Sequence, residues 1–131
     1  MDNVVLDTNI LVSSLLASGP PATIIDLVAD NRIIPFYNDF ILQEYWDVLS
    51  RDKFGFSSLQ ITRLINDIVR TGIAVECQQP SKVKMIDEDD RIFYDTAVEA
   101  QAYLITGNVR HFPSDSFIVS PAQFLSIFLQ S

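Results

Sequence analysis

Asn3-Val4-Val5-Leu6-Asp7-Thr8-Asn9-Ile10 runs an apolar, β-branched segment straight into an acid and two small polar residues. The apolar run reads as a short buried parallel strand, and Ile10, Leu11, Val12 and Leu15 continue at helical spacing. Asp7 therefore stands at the carboxyl end of a strand, the position that faces the functional crevice of an open α/β sheet. A carboxylate at the edge of a core needs a partner. The choices are a metal ion, a phosphorylation role, or a cap for the next helix.

Outward from this joint, apolar residues keep helical spacing over about residues 8 to 17, with Thr8 able to cap and Gly19-Pro20-Pro21 as the stop. A second helix is expected from about 21 to 30, and a strand from 32 to 37, where Pro35 favours a strand end or edge. Asn38 or Asp39 opens a helix carrying Phe40, Ile41, Tyr45, Val48 and Leu49. Ser57 or Ser58 opens another that stops at Gly72, and residues 73 to 77 read as a third strand. Asp87-Glu88-Asp89-Asp90 begins a helix to about Gln101, where the dipole favours acids. Strands over 103 to 106 and 117 to 119 follow, and Ser120-Pro121 starts the last helix. This alternation predicts one three-layer α/β/α domain over residues 1–131, with a mainly parallel sheet of four to five strands.

A chain of 131 residues is long enough to bury a full core. No apolar stretch approaches the ~20 residues that span a bilayer, and Met1-Asp2-Asn3 lacks the basic start of a signal peptide. A soluble, cytoplasmic protein with no membrane partner is expected. Cys77 stands alone, which excludes an internal disulfide and a cysteine-rich metal site. Net charge is −8, from 17 acids against 9 bases, and this argues against broad adhesion to nucleic acid. It leaves room for a nucleic-acid enzyme whose carboxylates are offset by bound divalent cations.

Helical phase picks out further acids. At ~100° per residue, Glu44 falls inside the arc set by Phe40, Ile41, Tyr45 and Val48, while Asp47 lies at its margin. A buried carboxylate without a partner is costly, so Glu44 calls for one. Asp90 shares a face with Phe93 and Ala97, whereas Asp95 and Glu99 point about 140° and 180° away and are expected in solvent. Asp89 flanks the same arc from its other side. It is read as the N-cap and Asp90 as the inward group, although periodicity alone leaves both open. If the first and fourth strands are neighbours, Asp7 and Asn108 face each other across the switch point. Three acids and an amide would then offer oxygen ligands of the kind Mg²⁺ or Mn²⁺ prefers.

These residues carry a resemblance to the PIN-domain ribonuclease family, in particular to the VapC-like toxins of prokaryotic toxin-antitoxin systems. Val5-Leu6-Asp7-Thr8-Asn9 is similar to the family's opening motif, and Ile41-Leu42-Gln43-Glu44 with Val48-Leu49 to its second. Asp87 to Ala97 resembles the third, and Tyr103 to Asn108 with His111-Phe112-Pro113 the fourth. The resemblance implies that Asp7, Glu44 and Asp90 are catalytic, metal-binding acids, with Thr8 and Thr106 supporting the site. Asn108 stands where many members carry a fourth acid, so one firmly held metal is expected. The resemblance also implies a Mg²⁺- or Mn²⁺-dependent endoribonuclease, commonly a homodimer, silenced by a cognate antitoxin protein. Arg110 and His111 are candidate substrate contacts, Arg110 for phosphate. Trp46 points away from the core arc and is read as an interface residue.

Two other readings are weighed. A phosphotransfer aspartate of the dehalogenase type needs an acid two residues on, where this chain has Asn9, and no glycine-rich phosphate loop is present. A PIN-like module that binds RNA or protein without turnover is the alternative, with Asn108 as its motivation.

Overall fold

Val4, Val5 and Leu6 are all buried, although successive strand residues point to opposite faces. Both faces of the central strand are therefore covered, as a three-layer α/β/α fold requires. A computed structural model describes residues 2–130. Among the described residues the elements run β1 (Asp2–Leu6), α1 (Thr8–Leu16), α2 (Pro20–Ala29), β2 (Ile33–Tyr37), α3 (Asp39–Leu49), α4 (Ser58–Thr71), β3 (Ile73–Ala74), α5 (Arg91–Ala100), β4 (Tyr103–Ile105), β5 (Ile118–Val119) and α6 (Pro121–Leu129). The sheet is parallel throughout, in the order β3-β2-β1-β4-β5. The expected fold class is correct.

The strand order puts the switch point between β1 and β4, with β2 on the other side of β1. Leu6 pairs with Ile105, so the ends of β1 and β4 lie side by side. On the covering layers α5 packs on β1, β2 and β4 and touches α3, while α2 touches α1, α4 and α6. Ser57 and Ser120 both cap their helices with full capping boxes, closed by Gln60 and Gln123. No single described helix is long and apolar enough to cross a membrane.

Several expectations are corrected. Pro35 lies in the middle of β2, between two neighbours, instead of at an end or edge. It is tolerated there because β3 pairs with β2 only at Phe36 and Tyr37, beyond the proline. Gly72 makes room for it: a Cβ at Gly72 would collide with the Pro35 carbonyl and come within 2.6 Å of the Ile68 carbonyl. β3 is two residues long, shorter than the expected 73 to 77, because the chain leaves the sheet after Val75 donates to the Tyr37 carbonyl at 2.8 Å. It then runs as an irregular strap to Ile86 and crosses α5.

That strap overturns the placement of Asp95. Phe93, Tyr94, Asp95, Thr96 and Ala97 are all buried, so the middle of α5 is covered on every side. The Ser81 amide donates to Asp95 Oδ2 at 2.9 Å, and Arg91 donates to the Ser81 carbonyl at 2.8 Å. Phe40 is corrected the other way, being 75% exposed. The core side of α3 is Ile41, Tyr45 and Leu49, which leaves Glu44 at the margin of the buried arc and half-buried.

Candidate active site

Asp7 extends the ladder by one bond, its amide donating to the Ile105 carbonyl at 3.0 Å. The chain then turns into α1, and Asp7 Oδ1 accepts from the Thr8 amide at 2.8 Å. Asp7, not Thr8, is thus the N-cap of α1. The same carboxylate does more. Its Oδ2 accepts from Thr106 Oγ1 at 2.7 Å and from Asn9 Nδ2 at 3.1 Å.

These bonds tie the ends of β1 and β4 together. Thr106 Oγ1 also accepts from the Asn108 amide at 3.0 Å, and Asn9 Oδ1 accepts from the Gly107 amide at 3.0 Å. Asn108 thus joins Asp7 through Thr106, at the neighbouring strand end that the sequence suggests. Asp7 is 8% exposed, and burial pushes its carboxyl above the ordinary value. Hydrogen bonds from Thr106, Thr8 and Asn9, and the charge of His111, hold it down in part.

Asp90 ends the short 3-10 turn Glu88–Asp90 and leads into α5. Its carboxyl is pushed up to about 6, first by burial, then by the charges of Asp7 and Asp87. Asp7 is the strongest charge acting on it. Glu44 is brought in by α3, whose Tyr45 hydroxyl donates to the Leu6 carbonyl at 2.7 Å. Burial raises the Glu44 carboxyl, followed by the charge of Asp89, and Asp7 adds a smaller contribution. The charge of Asp7 is thus felt by both Asp90 and Glu44.

Asp89 is not the N-cap. The N-cap position of α5 is Asp90, without a side-chain cap bond, and Asp87 caps the 3-10 turn before it, its Oδ1 accepting from the Asp89 amide at 3.0 Å. Asp89 is exposed and is the strongest charge acting on Glu44. Among the described residues, no group of three or more His, Cys, Asp or Glu side chains is arranged to hold a metal ion. His111 lies in the 3-10 turn Val109–His111 with Arg110, and its charge acts on both Asp7 and Asp90. Arg110 is exposed in the same turn. The Thr8 hydroxyl is buried with no hydrogen-bond partner among the described residues.

A family model for the PIN domain matches residues 3–110, from the start of β1 through the turn after β4. The chain belongs to the PIN-domain family. PIN domains are generally nucleases, and they typically use divalent metals. The chain is also similar to the uncharacterized protein MJ1680 of Methanocaldococcus jannaschii, at 29% identity over 109 residues, covering 80% of this chain and 70% of the relative. No solved structure matches it.

The PIN site holds residues that sequence reasoning passed over. Asn9 bridges Asp7 to the Gly107 amide, a role that a motif match marks only as a small polar position. Arg51, just beyond α3, opposes the acids by acting on Glu44. Its seven-residue spacing from Glu44 places both on one face if the helical phase is carried past Leu49.

Proposed function

We propose that this PIN domain is a Mg²⁺- or Mn²⁺-dependent endoribonuclease, acting as the toxin of a toxin-antitoxin pair. The observation that carries the nuclease reading is Asp90 near the strand-end carboxylate Asp7, where burial and the charge of Asp7 raise Asp90 to about 6. Unfavourable negative charge held in place by a rigid strand end is what a bound cation offsets. The donors suit a hard ion by their chemistry, though among the described residues their spacing forms no ready metal cluster: carboxylates from Asp7, Asp90 and Glu44, and an orphan hydroxyl at Thr8. Mg²⁺ keeps several of its waters, so it does not require a closed cage of protein ligands.

Asp7 and Asp90 would hold the ion, with Glu44 as the third acid. When bound, the metal would supply a water of lowered pKa and offset charge on the phosphodiester being cut. Thr106 and Asn9 hold Asp7 Oδ2 in one orientation, so that carboxylate does not swing when substrate arrives. His111, whose charge reaches Asp7 and Asp90, would contact the phosphate, together with the exposed Arg110 of the same turn. Asn108, tied to Thr106 by its backbone amide, carries a neutral side chain, so one firmly held ion is proposed over two.

Residues 1–131 act in this reading as one PIN domain, supported by α6 packing on α2 and β4 beyond the matched stretch. RNA is the substrate, a cognate antitoxin and a second copy of the chain are the partners, and the cytoplasm is the compartment. The exposed Trp46 and Leu59, on α3 and α4, support a protein-covered face.

The test is cleavage of a panel of single-stranded RNAs by the purified chain with and without Mn²⁺, alongside the Asp7→Asn variant. Mn²⁺-dependent cleavage, lost in a folded Asp7→Asn, is expected. No cleavage of any RNA, together with no Mn²⁺-induced rise in melting temperature, overturns the reading in favour of a binding module without turnover.

A further inference from the structure

We propose that the outer edge of the strap, with the cavity it forms against the Val109–His111 turn, carries the sugar–phosphate backbone of single-stranded RNA beyond the cleaved bond. The inference deepens the nuclease reading and rests on it, because the strap runs directly into the turn Glu88–Asp90. The cavity has a volume of about 220 Å³ and is lined by Lys84, Met85, Ile86, His111, Phe112 and Pro113. None of these is an acid, in a chain with 17 acids against 9 bases. A net charge of −8 repels a phosphodiester, and this corner offsets it locally.

Exposure alternates along the strap as it does along extended backbone: Lys82, Lys84 and Ile86 are exposed, whereas Ser81, Val83 and Met85 are half-buried. Val83 and Met85 pack against the core, which leaves both lysines on the outer side. Side chains two residues apart on extended backbone stand ~7 Å apart, on the scale of successive phosphates in a stretched strand. The start of this run is anchored, since the Ser81 amide donates to Asp95 Oδ2 at 2.9 Å and Arg91 donates to the Ser81 carbonyl at 2.8 Å. Lys82, Lys84 and Arg110 are exposed and enter no ion pair among the described residues. Their charge is therefore free for a ligand. His111 links cavity and acids: it lines the one, and its charge acts on Asp7 and Asp90. Ile86, 74% exposed, offers an apolar surface to the ribose that a phosphate on Lys84 carries. Lysines at the repeat of a phosphate chain, leading to a phosphodiester-cutting site, favour RNA over an acidic peptide. Backbone contacts position a strand without reading its bases.

The test is binding of fluorescein-labelled oligouridylate and oligoadenylate to the full-length chain, by anisotropy, in EDTA so that nothing is cleaved, over a series of KCl concentrations. With Lys82, Lys84 and Arg110 on the backbone, log affinity should fall against log salt with a slope of about −2, at ~0.7 per contact on a single strand. Lys84→Ala alters an exposed side chain; it should make the slope shallower by about 0.7 and weaken both RNAs alike, by about threefold to fivefold. Arg63→Ala removes an exposed charge from α4, outside the cavity, and should change neither quantity. An unchanged slope in Lys84→Ala, or an equal loss in Arg63→Ala, overturns the track. So does tighter binding of oligoglutamate than of oligouridylate. Cleavage is read separately with Mn²⁺. A chain that cleaves RNA but binds it without dependence on Lys84 loses this inference alone. A chain with the Lys84-dependent slope that never cleaves loses the nuclease reading alone.

Discussion

Replacing Asp90 by Asn should stabilise the metal-free protein at neutral pH, and should do so less at pH 5. The Asp90 carboxyl is raised from its ordinary 3.8 to about 6 by burial and by Asp7. Between those pH values the folded state holds more protons than the unfolded chain. Stability therefore falls as pH rises through this window, and the penalty is fully present above about pH 6. At 1.36 kcal/mol per pH unit the displacement corresponds to about 3 kcal/mol. Asp90 is only partly buried, and solvent screening brings the expected gain to about 1–1.5 kcal/mol. For a chain of this size that is about 3–5 °C in melting temperature.

The assay is urea unfolding in EDTA at pH 5 and pH 7, for wild type and Asp90→Asn. The wild type should lose stability relative to the variant between the two pH values. Comparing the variant with the wild type cancels the contribution of the other acids. Mn²⁺ at pH 7 should stabilise the wild type and leave Asp90→Asn nearly unmoved. A variant that is less stable than wild type at pH 7, or one with the same pH slope, would refute the assignment of repulsion to this pair.

Other consequences are equally direct. Asn9→Ala removes the bridge from Asp7 Oδ2 to the Gly107 amide; it should cut RNA cleavage by about tenfold while costing about 1 kcal/mol of stability, and unchanged turnover would show that the bridge does not position Asp7. Asn108→Asp adds a charge next to Thr106 and should raise affinity for a second Mn²⁺, a change that calorimetric stoichiometry reads; one ion in both proteins would speak against its place at the site. Gly72→Ala forces a Cβ against the Pro35 and Ile68 carbonyls; it should destabilise the fold by about 1–3 kcal/mol in urea, and a neutral result would mean that the β2–α4 contact is soft.

The order of strands and helices was legible in the sequence because its signals are local. Val4-Val5-Leu6 states a covered strand, Ser57 and Ser120 state helix starts, and Gly19-Pro20-Pro21 states a stop. Asp7 was legible for the same reason: its position follows from where an apolar run ends. Helical phase reached Glu44 and Asp90 with less precision. It uses only a helix's own residues, so Phe40 entered the core arc although no element covers it, and Asp95 was left in solvent.

The sequence by itself determined the α/β alternation, the strand-end acid and the set of inward acids to consider. The tertiary structure decided which acid acts on which. Asp7 both caps α1 and ties β1 to β4, because β4 lies beside β1 and delivers Thr106 to its second oxygen. Asp89 is the strongest charge acting on Glu44 and Asp7 the strongest acting on Asp90, in a turn that Asp87 caps. Asp95 is buried because the strap from β3 crosses α5, at a distance in sequence that no helical period records. Burial and electrostatic coupling depend on which segments meet, and the path of the folded chain decides that.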